Sequence, residues 1–264
     1  MNDITFPIVL VAGIGILCGV VLAIASIIMA VPKDEKEVKI RGVLPGANCG
    51  ACGFSGCDGY AAALAKGEAQ PGLCAPGGTA VASATAKILG GDAGTVEEKV
   101  AVVHCLGSND NTQNKVVYEG IESCAAANIV AGGVANCEYG CMGIGDCVKA
   151  CQYDAIEVCN GVARVDPTRC KGCTMCAKAC PKHLIDMVPK KKQAVNLCQN
   201  CDKGPMVMKV CKVGCIGCMK CVKTCPQGAI KVDKFHAIVD PSKCIGCGAC
   251  IEVCPRHCLK LMDV

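Results

Sequence analysis

The sequence predicts an α+β chain in which one apolar N-terminal helix is followed by small cysteine-rich units. Three observations carry that prediction: a long uncharged segment near the start, 28 cysteines among 264 residues, and a cysteine spacing that repeats. Cysteine at roughly 11 per cent is several times its usual share. With no Trp, 4 Tyr and 3 Phe, the chain lacks the aromatics of one large ordinary core, so bound groups or disulfides must hold it together.

The first element is the apolar one. Ile8 to Val31 contains no charged residue, and 24 residues at about 1.5 Å each reach roughly 36 Å, enough to cross a hydrocarbon layer of about 30 Å with some tilt. A secretory signal is the competing reading. Met1-Asn2-Asp3 supplies no basic leader, however, and the apolar run exceeds the usual length of such signals. Residues 1–32 are therefore expected to be a single-pass membrane anchor in contact with lipid. Lys33, Lys36, Lys39 and Arg41 follow it and no Lys or Arg precedes it. The positive-inside rule then places the C-terminal body in the cytoplasm, on the inner face of the cell membrane. That is a reducing compartment, where dense cysteine signals metal ligation. Gly13, Gly15 and Gly19 suit close helix packing, and Cys18 reads as a small apolar residue.

The next units are defined by their cysteines. The bacterial ferredoxin run is C-x2-C-x2-C-x3-C-P, whose fourth cysteine ligates the other 4Fe-4S cluster of a pair. Cys170, Cys173, Cys176, Cys180-Pro181 match it, as do Cys215, Cys218, Cys221, Cys225-Pro226 and Cys244, Cys247, Cys250, Cys254-Pro255. Repeated runs this dense fit zinc poorly. Cys141, Cys147, Cys151, Cys170, Cys173, Cys176 and Cys180 each have a cysteine 74 positions later, so two 2×(4Fe-4S) ferredoxin-like modules are expected, over 136–190 and 191–264. Between ligand runs, AIEVCNGVARVDPTRC and AIKVDKFHAIVDPSKC each read as two short strands around a turn.

In the second module Cys218 is a ligand, and the matching position of the first is Ile144. Spacing assigns the missing thiolate to Cys137. The four expected sets are Cys137, Cys141, Cys147 with Cys180; Cys170, Cys173, Cys176 with Cys151; Cys215, Cys218, Cys221 with Cys254; and Cys244, Cys247, Cys250 with Cys225. A fifth cluster is expected in a small N-terminal domain over 33–100, where LPGANCGACGFSGC places Cys49, Cys52 and Cys57 on a glycine-rich turn and Cys74 follows a short helix of Tyr60 to Lys66. Cys105, Cys124, Cys198, Cys201 and Cys211 remain, one more than a sixth cluster takes. The preferred set is Cys105, Cys124, Cys198 and Cys211; the alternative uses the Cys198–Cys201 pair and leaves Cys105 and Cys124 competing for one place. Cys159 and Cys258 have no ligand register and are expected to be packing residues. Residues 101–135 form a linking segment, with mixed short helices and loops over 76–135 and a turn at GGDAG near Gly90.

Charge divides the molecule. Residues 168–264 carry 17 Lys and Arg against 6 Asp and Glu, whereas residues 101–167 carry 3 against 8. The basic third suits an acidic protein partner, or simply offsets cluster charge. Nucleic acid is excluded as a partner because the aromatic platforms that stack on bases are missing. There is no GxGxxG between strand and helix, no Walker loop and no acid/base constellation, so a self-contained catalytic site is not expected. His104, His183, His236 and His257 read as surface or packing residues.

LPGANCGACGFSGCDGYA after one membrane helix, followed by tandem modules with GCIGCMKCVKTCP, resembles the B subunit of Rnf complexes, the membrane-bound ferredoxin:NAD oxidoreductases that translocate sodium ions or protons. HCLGSNDNT and NLCQNCDKG resemble the longer, cluster-rich type, in which the position of Cys201 need not be cysteine. This favours the preferred sixth set. The resemblance implies an electron-transfer subunit that receives electrons from soluble ferredoxin and passes them toward other Rnf subunits, with NAD reduction on a different, flavin-bearing subunit. Lys190, Lys191, Lys192, Lys203, Lys209, Lys212, Lys220 and Lys223 are the candidates for ferredoxin docking. The rival readings are an iron-sulfur subunit of a membrane-bound hydrogenase or formate dehydrogenase, and a membrane-tethered iron-sulfur redox sensor.

Overall fold

The computed structural model describes residues 5–28, 34–93 and 96–262. Helix α1, Thr5–Ile28, contains the one stretch among the described residues that is long and apolar enough to cross a membrane, Ile8–Ser26 with mean hydropathy 2.9 and no buried residues. Uniform apolarity without burial is what a lipid-facing helix needs. The end of the predicted span at Val31, its first basic flank Lys33, and Met1 to Asp3 lie outside the described residues.

Three helices form the N-terminal domain: α2, Glu35–Val43, α3, Cys57–Ala65, and α4, Gly78–Leu89. Asp34 caps α2 by accepting from the Lys36 N–H at 2.9 Å. Ile40, Leu44, Tyr60 and Leu64 fill the interior between these helices. The α4 helix stops at Gly90, whose φ of 75° closes it in the left-handed conformation, which is the turn expected at GGDAG.

Strand β1, Lys99–Val103, was not expected in this region. It is followed by α5, Cys124–Ala131, α6, Asp146–Lys149, β2, Ile156–Cys159, β3, Val162–Val165, α7, Met175–Ala179, and β4, Ile185–Pro189. The second half comprises β5, Gln193–Asn196, α8, Gly204–Val210, α9, Lys220–Thr224, β6, Ile230–Asp233, β7, His236–Val239, α10, Ala249–Glu252, and β8, Leu259–Met262. All strands pair antiparallel, β1 with β4, β2 with β3, β5 with β8 and β6 with β7. The β2–β3 and β6–β7 hairpins are those read from the sequence.

The two halves thus have the same plan, in which an early strand closes back on the last one. β1 packs with the first module although it precedes the 136–190 span that cysteine spacing gives. The equivalence reaches atomic detail. The Ala101 N–H donates to Cys170 Sγ and the Ala194 N–H to Cys244 Sγ, both at 3.4 Å. Gly172 (φ 64°) and Gly246 (φ 68°) each bring backbone so close that a Cβ would stand 2.6 Å from the carbonyl oxygen of Lys99 and of Lys192 respectively. Glycine is required at both positions by the conformation and by the approach.

Candidate iron-sulfur sites

The N-terminal site is built on a turn whose residues adopt left-handed backbone: Gly46, Asn48, Gly50 and Gly53 all have positive φ. Asn48 Oδ1 accepts from the Cys57 N–H at 2.9 Å, which seats Cys57 at the start of α3. The Tyr60 hydroxyl donates to the Gln70 carbonyl at 2.8 Å and accepts from the Leu73 N–H at 3.2 Å, so one side chain fixes the loop that delivers Cys74. Burial raises the Cys74 thiol, and charge on Cys57, Cys49 and Cys52 raises it further. The four cysteines predicted here are therefore neighbours.

In each module a hydrophobic core includes the cysteines themselves. Cys147 and Cys176 pack with Ile156, Val162 and Leu184 in the first, and Cys221 and Cys250 with Ile230, Ala237 and Leu259 in the second. Three of the four run-ending cysteines accept backbone N–H groups in the same way: Ala155 to Cys151 Sγ at 3.4 Å, Leu184 to Cys180 at 3.5 Å and Ala229 to Cys225 at 3.3 Å.

One pair of cysteines exchanges places relative to the partition drawn from spacing. The cavity lined by Cys141, Cys147 and Cys180 takes Cys124 as its fourth cysteine. Cys137 lines a different cavity with Cys105, Cys198 and Cys211. The placement of Cys124 has a local cause. Ser123 caps α5 by accepting from the Ala126 N–H, its hydroxyl donates to Asp146 at the start of α6, and Asp146 also accepts from the Ala125 N–H at 3.0 Å. The start of α5, where Cys124 sits, is thereby pinned beside the helix that carries Cys147.

The second cavity lies between the modules and has an internal symmetry. Cys137 and Cys211 are 74 positions apart, and Cys105 and Cys198 each follow an early strand, β1 or β5, by one intervening residue. Cys105 and Cys198 face each other across an isolated β-bridge. Cys105 Sγ accepts from the Cys141 N–H at 3.4 Å, and Cys198 Sγ from the Cys215 N–H at 3.2 Å. Each module contributes the same two cysteines to this junction. Cys201 is absent from the lining and points toward His236, with Sγ 3.9 Å from Nδ1.

The donor chemistry fits iron-sulfur clusters. Burial pushes the Cys105 thiol up to about 11 and Cys198 up to about 12. Burial, reinforced by charge on neighbouring cysteines, also takes Cys147 and Cys176 up to about 12. Such crowded thiols become thiolates only when iron takes up the charge. N–H groups aimed at sulfur are what a cluster's ligands require. Among the described residues no three His, Cys, Asp or Glu side chains are placed to hold a single metal ion. Two thiols go the other way: the Cys258 side chain, outweighing burial, holds Cys215 down to about 6 and Cys254 to about 5.

An Fe-S cluster family model matches residues 44–76, a 4Fe-4S binding domain matches 162–185 and a 4Fe-4S dicluster domain matches 214–258. The chain is 39% identical over 244 residues to the B subunit of the Na(+)-translocating ferredoxin:NAD(+) oxidoreductase complex of Acetobacterium woodii, covering 92% of this chain and 73% of that protein. The chain belongs to the B-subunit family of these complexes. A relative from the proton-translocating complex of Clostridium ljungdahlii, also a B subunit, is likewise 39% identical, with 92% of this chain and 86% of the relative covered. Another, from the ion-translocating oxidoreductase complex of Methanosarcina acetivorans, is 38% identical over 89% and 90%. As a member of the B-subunit family the chain is an iron-sulfur electron-transfer subunit of an ion-translocating oxidoreductase, which displaces the hydrogenase and sensor readings.

The remaining expectations divide. Cys258 is buried, as expected of a packing residue, but Cys159 is exposed on β2, where its thiol lies 3.2 Å from Glu157. Sequence reasoning missed Asn200, buried behind the junction with Nδ2 donating to Cys137 Sγ at 3.3 Å. It also missed His104 as a paired residue. His104 Nε2 lies 3.2 Å from Asp186 and Nδ1 2.6 Å from the Asn196 carbonyl, tying β1, β4 and β5 together. Asn200 follows Cys198 by two residues, the only signal that could have found it.

Proposed function

We propose that six cysteine sets, each able to hold one 4Fe-4S cluster, form an unbranched series from the membrane anchor to the basic end of the chain. Bound clusters would supply one-electron transfer, and the chain's own contribution is placement, burial and hydrogen bonding of the thiolates. The ligands are Cys49, Cys52, Cys57 and Cys74; Cys151, Cys170, Cys173 and Cys176; Cys124, Cys141, Cys147 and Cys180; Cys105, Cys137, Cys198 and Cys211; Cys215, Cys218, Cys221 and Cys254; and Cys225, Cys244, Cys247 and Cys250. The observation that carries the series is the junction, where Cys105 and Cys198 accept from the Cys141 and Cys215 N–H groups of the flanking sets. At the other end Lys178 Nζ donates to the Cys49 carbonyl at 2.8 Å, holding the N-terminal site against the first module.

Soluble ferredoxin is the expected electron donor, and the second module is the docking end. Lys191, Lys192, Lys203, Lys209, Lys212, Lys220 and Lys223 are exposed there, whereas Lys190 is half-buried beside Glu98. Cys218 and Cys247 are exposed, as are Met219 and Ile245 in the same ligand runs. From the N-terminal site electrons would pass to other components of the complex in the membrane, the body lying on the cytoplasmic side. Replacing Lys203, Lys209, Lys220 and Lys223 with Glu should slow reduction of the full chain by reduced ferredoxin about ten- to a hundredfold at low salt, with the difference closing as salt rises. An unchanged rate would move the docking site elsewhere.

A further inference from the structure

Cys258 is one of five cysteines lining a single cavity, with Cys215, Cys218, Cys221 and Cys254, although a cluster takes four. It is 2% exposed and its Sγ is 3.6 Å from Cys254 Sγ. Its backbone is fixed just ahead of β8 by the bond its carbonyl accepts from the Leu197 N–H at 2.7 Å. Packing does not demand sulfur here. The position 74 residues earlier is Leu184, also 2% exposed and lining the corresponding cavity of the first module. An apolar side chain therefore satisfies the same pocket in the sister module.

Cluster ligands are thiolates and can only accept, so between Cys254 and Cys258 the proton belongs to Cys258. A further buried anion beside two thiolates would have no compensating partner. We propose that Cys258 is a positioning residue whose S–H donates to the ligand thiolate of Cys254, raising the reduction potential of the cluster held by Cys215, Cys218, Cys221 and Cys254. A donor to sulfur stabilises the more negative, reduced state, and the bond gains strength because the pocket is dry. The first module lacks the donor, so the thiol sets the two equivalent clusters apart and makes the one nearer the docking end the easier to reduce.

This inference rests on the ligand sets proposed above. Its test is a potentiometric titration of the anaerobically purified full chain, followed by low-temperature EPR and iron analysis, for wild type, Cys258→Leu, Cys258→Ser and Leu184→Cys. The expected result is wild-type iron content throughout, one reduction step shifted to more negative potential in Cys258→Leu and less so in Cys258→Ser, which keeps a donor. Leu184→Cys should shift a different step to more positive potential, and it remains informative if Cys258→Leu fails to fold. Unshifted steps at full iron content in Cys258→Leu and Leu184→Cys would overturn the proposal. So would loss of one cluster's iron from Cys258→Leu, which would make Cys258 a ligand. Wild-type iron too low to fill the second module would instead refute the ligand sets.

Discussion

His104 and Asp186 show what a single pair contributes beside the junction. Burial acts to lower the His104 pKa, but the bonds to Asp186 and the Asn196 carbonyl outweigh it and the net shift is upward. The same bond to His104 pulls Asp186 down against burial. A raised histidine contributes stability that is full below its unfolded value of about 6.5 and is lost as pH rises through the folded value. A depressed aspartate contributes above its unfolded value of about 3.9 and loses it as pH falls through the folded one. The pair therefore acts in mildly acidic solution. Asp186→Asn should destabilise the chain by up to about 1 kcal/mol near pH 5 to 6, a small value because the carboxylate is mostly exposed. Denaturant midpoints compared at several pH values check this, and the difference should shrink above neutral pH. At the residue scale the sequence was legible wherever a cysteine sat in a regular run. The exchange of Cys124 and Cys137 was not, because it depends on Ser123 and Asp146 docking α5 on α6. The repeat held one usable hint: Cys137 has a mate in Cys211 that the second module does not need, and the same logic frees Cys137 from the first.

Among the elements, the hairpins β2–β3 and β6–β7 are local, with turn residues between short β-branched runs, and were readable for that reason. The strands β1 and β5 were not. Each is short, mostly buried rather than alternating, and paired with a partner far along the chain, so no period-2 pattern marks it. Their place in the fold is enforced instead by glycines in the ligand runs. Gly246→Ala would set a Cβ 2.6 Å from the Lys192 carbonyl oxygen at a φ of 68°, and should cost about 1–3 kcal/mol. Gly228→Ala, at a φ of 57° with open space around the new methyl, should cost only about 1 kcal/mol from conformation. Thermal unfolding of the two variants makes the comparison. Gly246→Ala should also loosen iron, since the Ala194 N–H bond to Cys244 Sγ lies beside it.

For the whole molecule, the sequence disclosed an apolar N-terminal helix, an N-terminal cysteine site and two modules, and the repeat disclosed that the modules are equivalent. It did not disclose that equivalence also builds the link between them. Two copies of a fold, each offering one cysteine after its early strand and one ahead of its ligand run, can face each other and enclose a site that neither has alone. In the proposed function that arrangement joins two separate pairs of sites into one series, and the junction is the point where the series can be cut. The decisive measurement is anaerobic stopped-flow reduction of the full-length chain by reduced ferredoxin, comparing wild type with Cys137→Ala/Cys211→Ala. The variant should lose about four irons, one cluster's worth. It should bleach quickly only in the fraction belonging to the second module, with the remaining absorbance following far more slowly. Complete bleaching at the wild-type rate, in a variant that has lost that iron, would contradict the series and show that electrons reach the first module without crossing the junction.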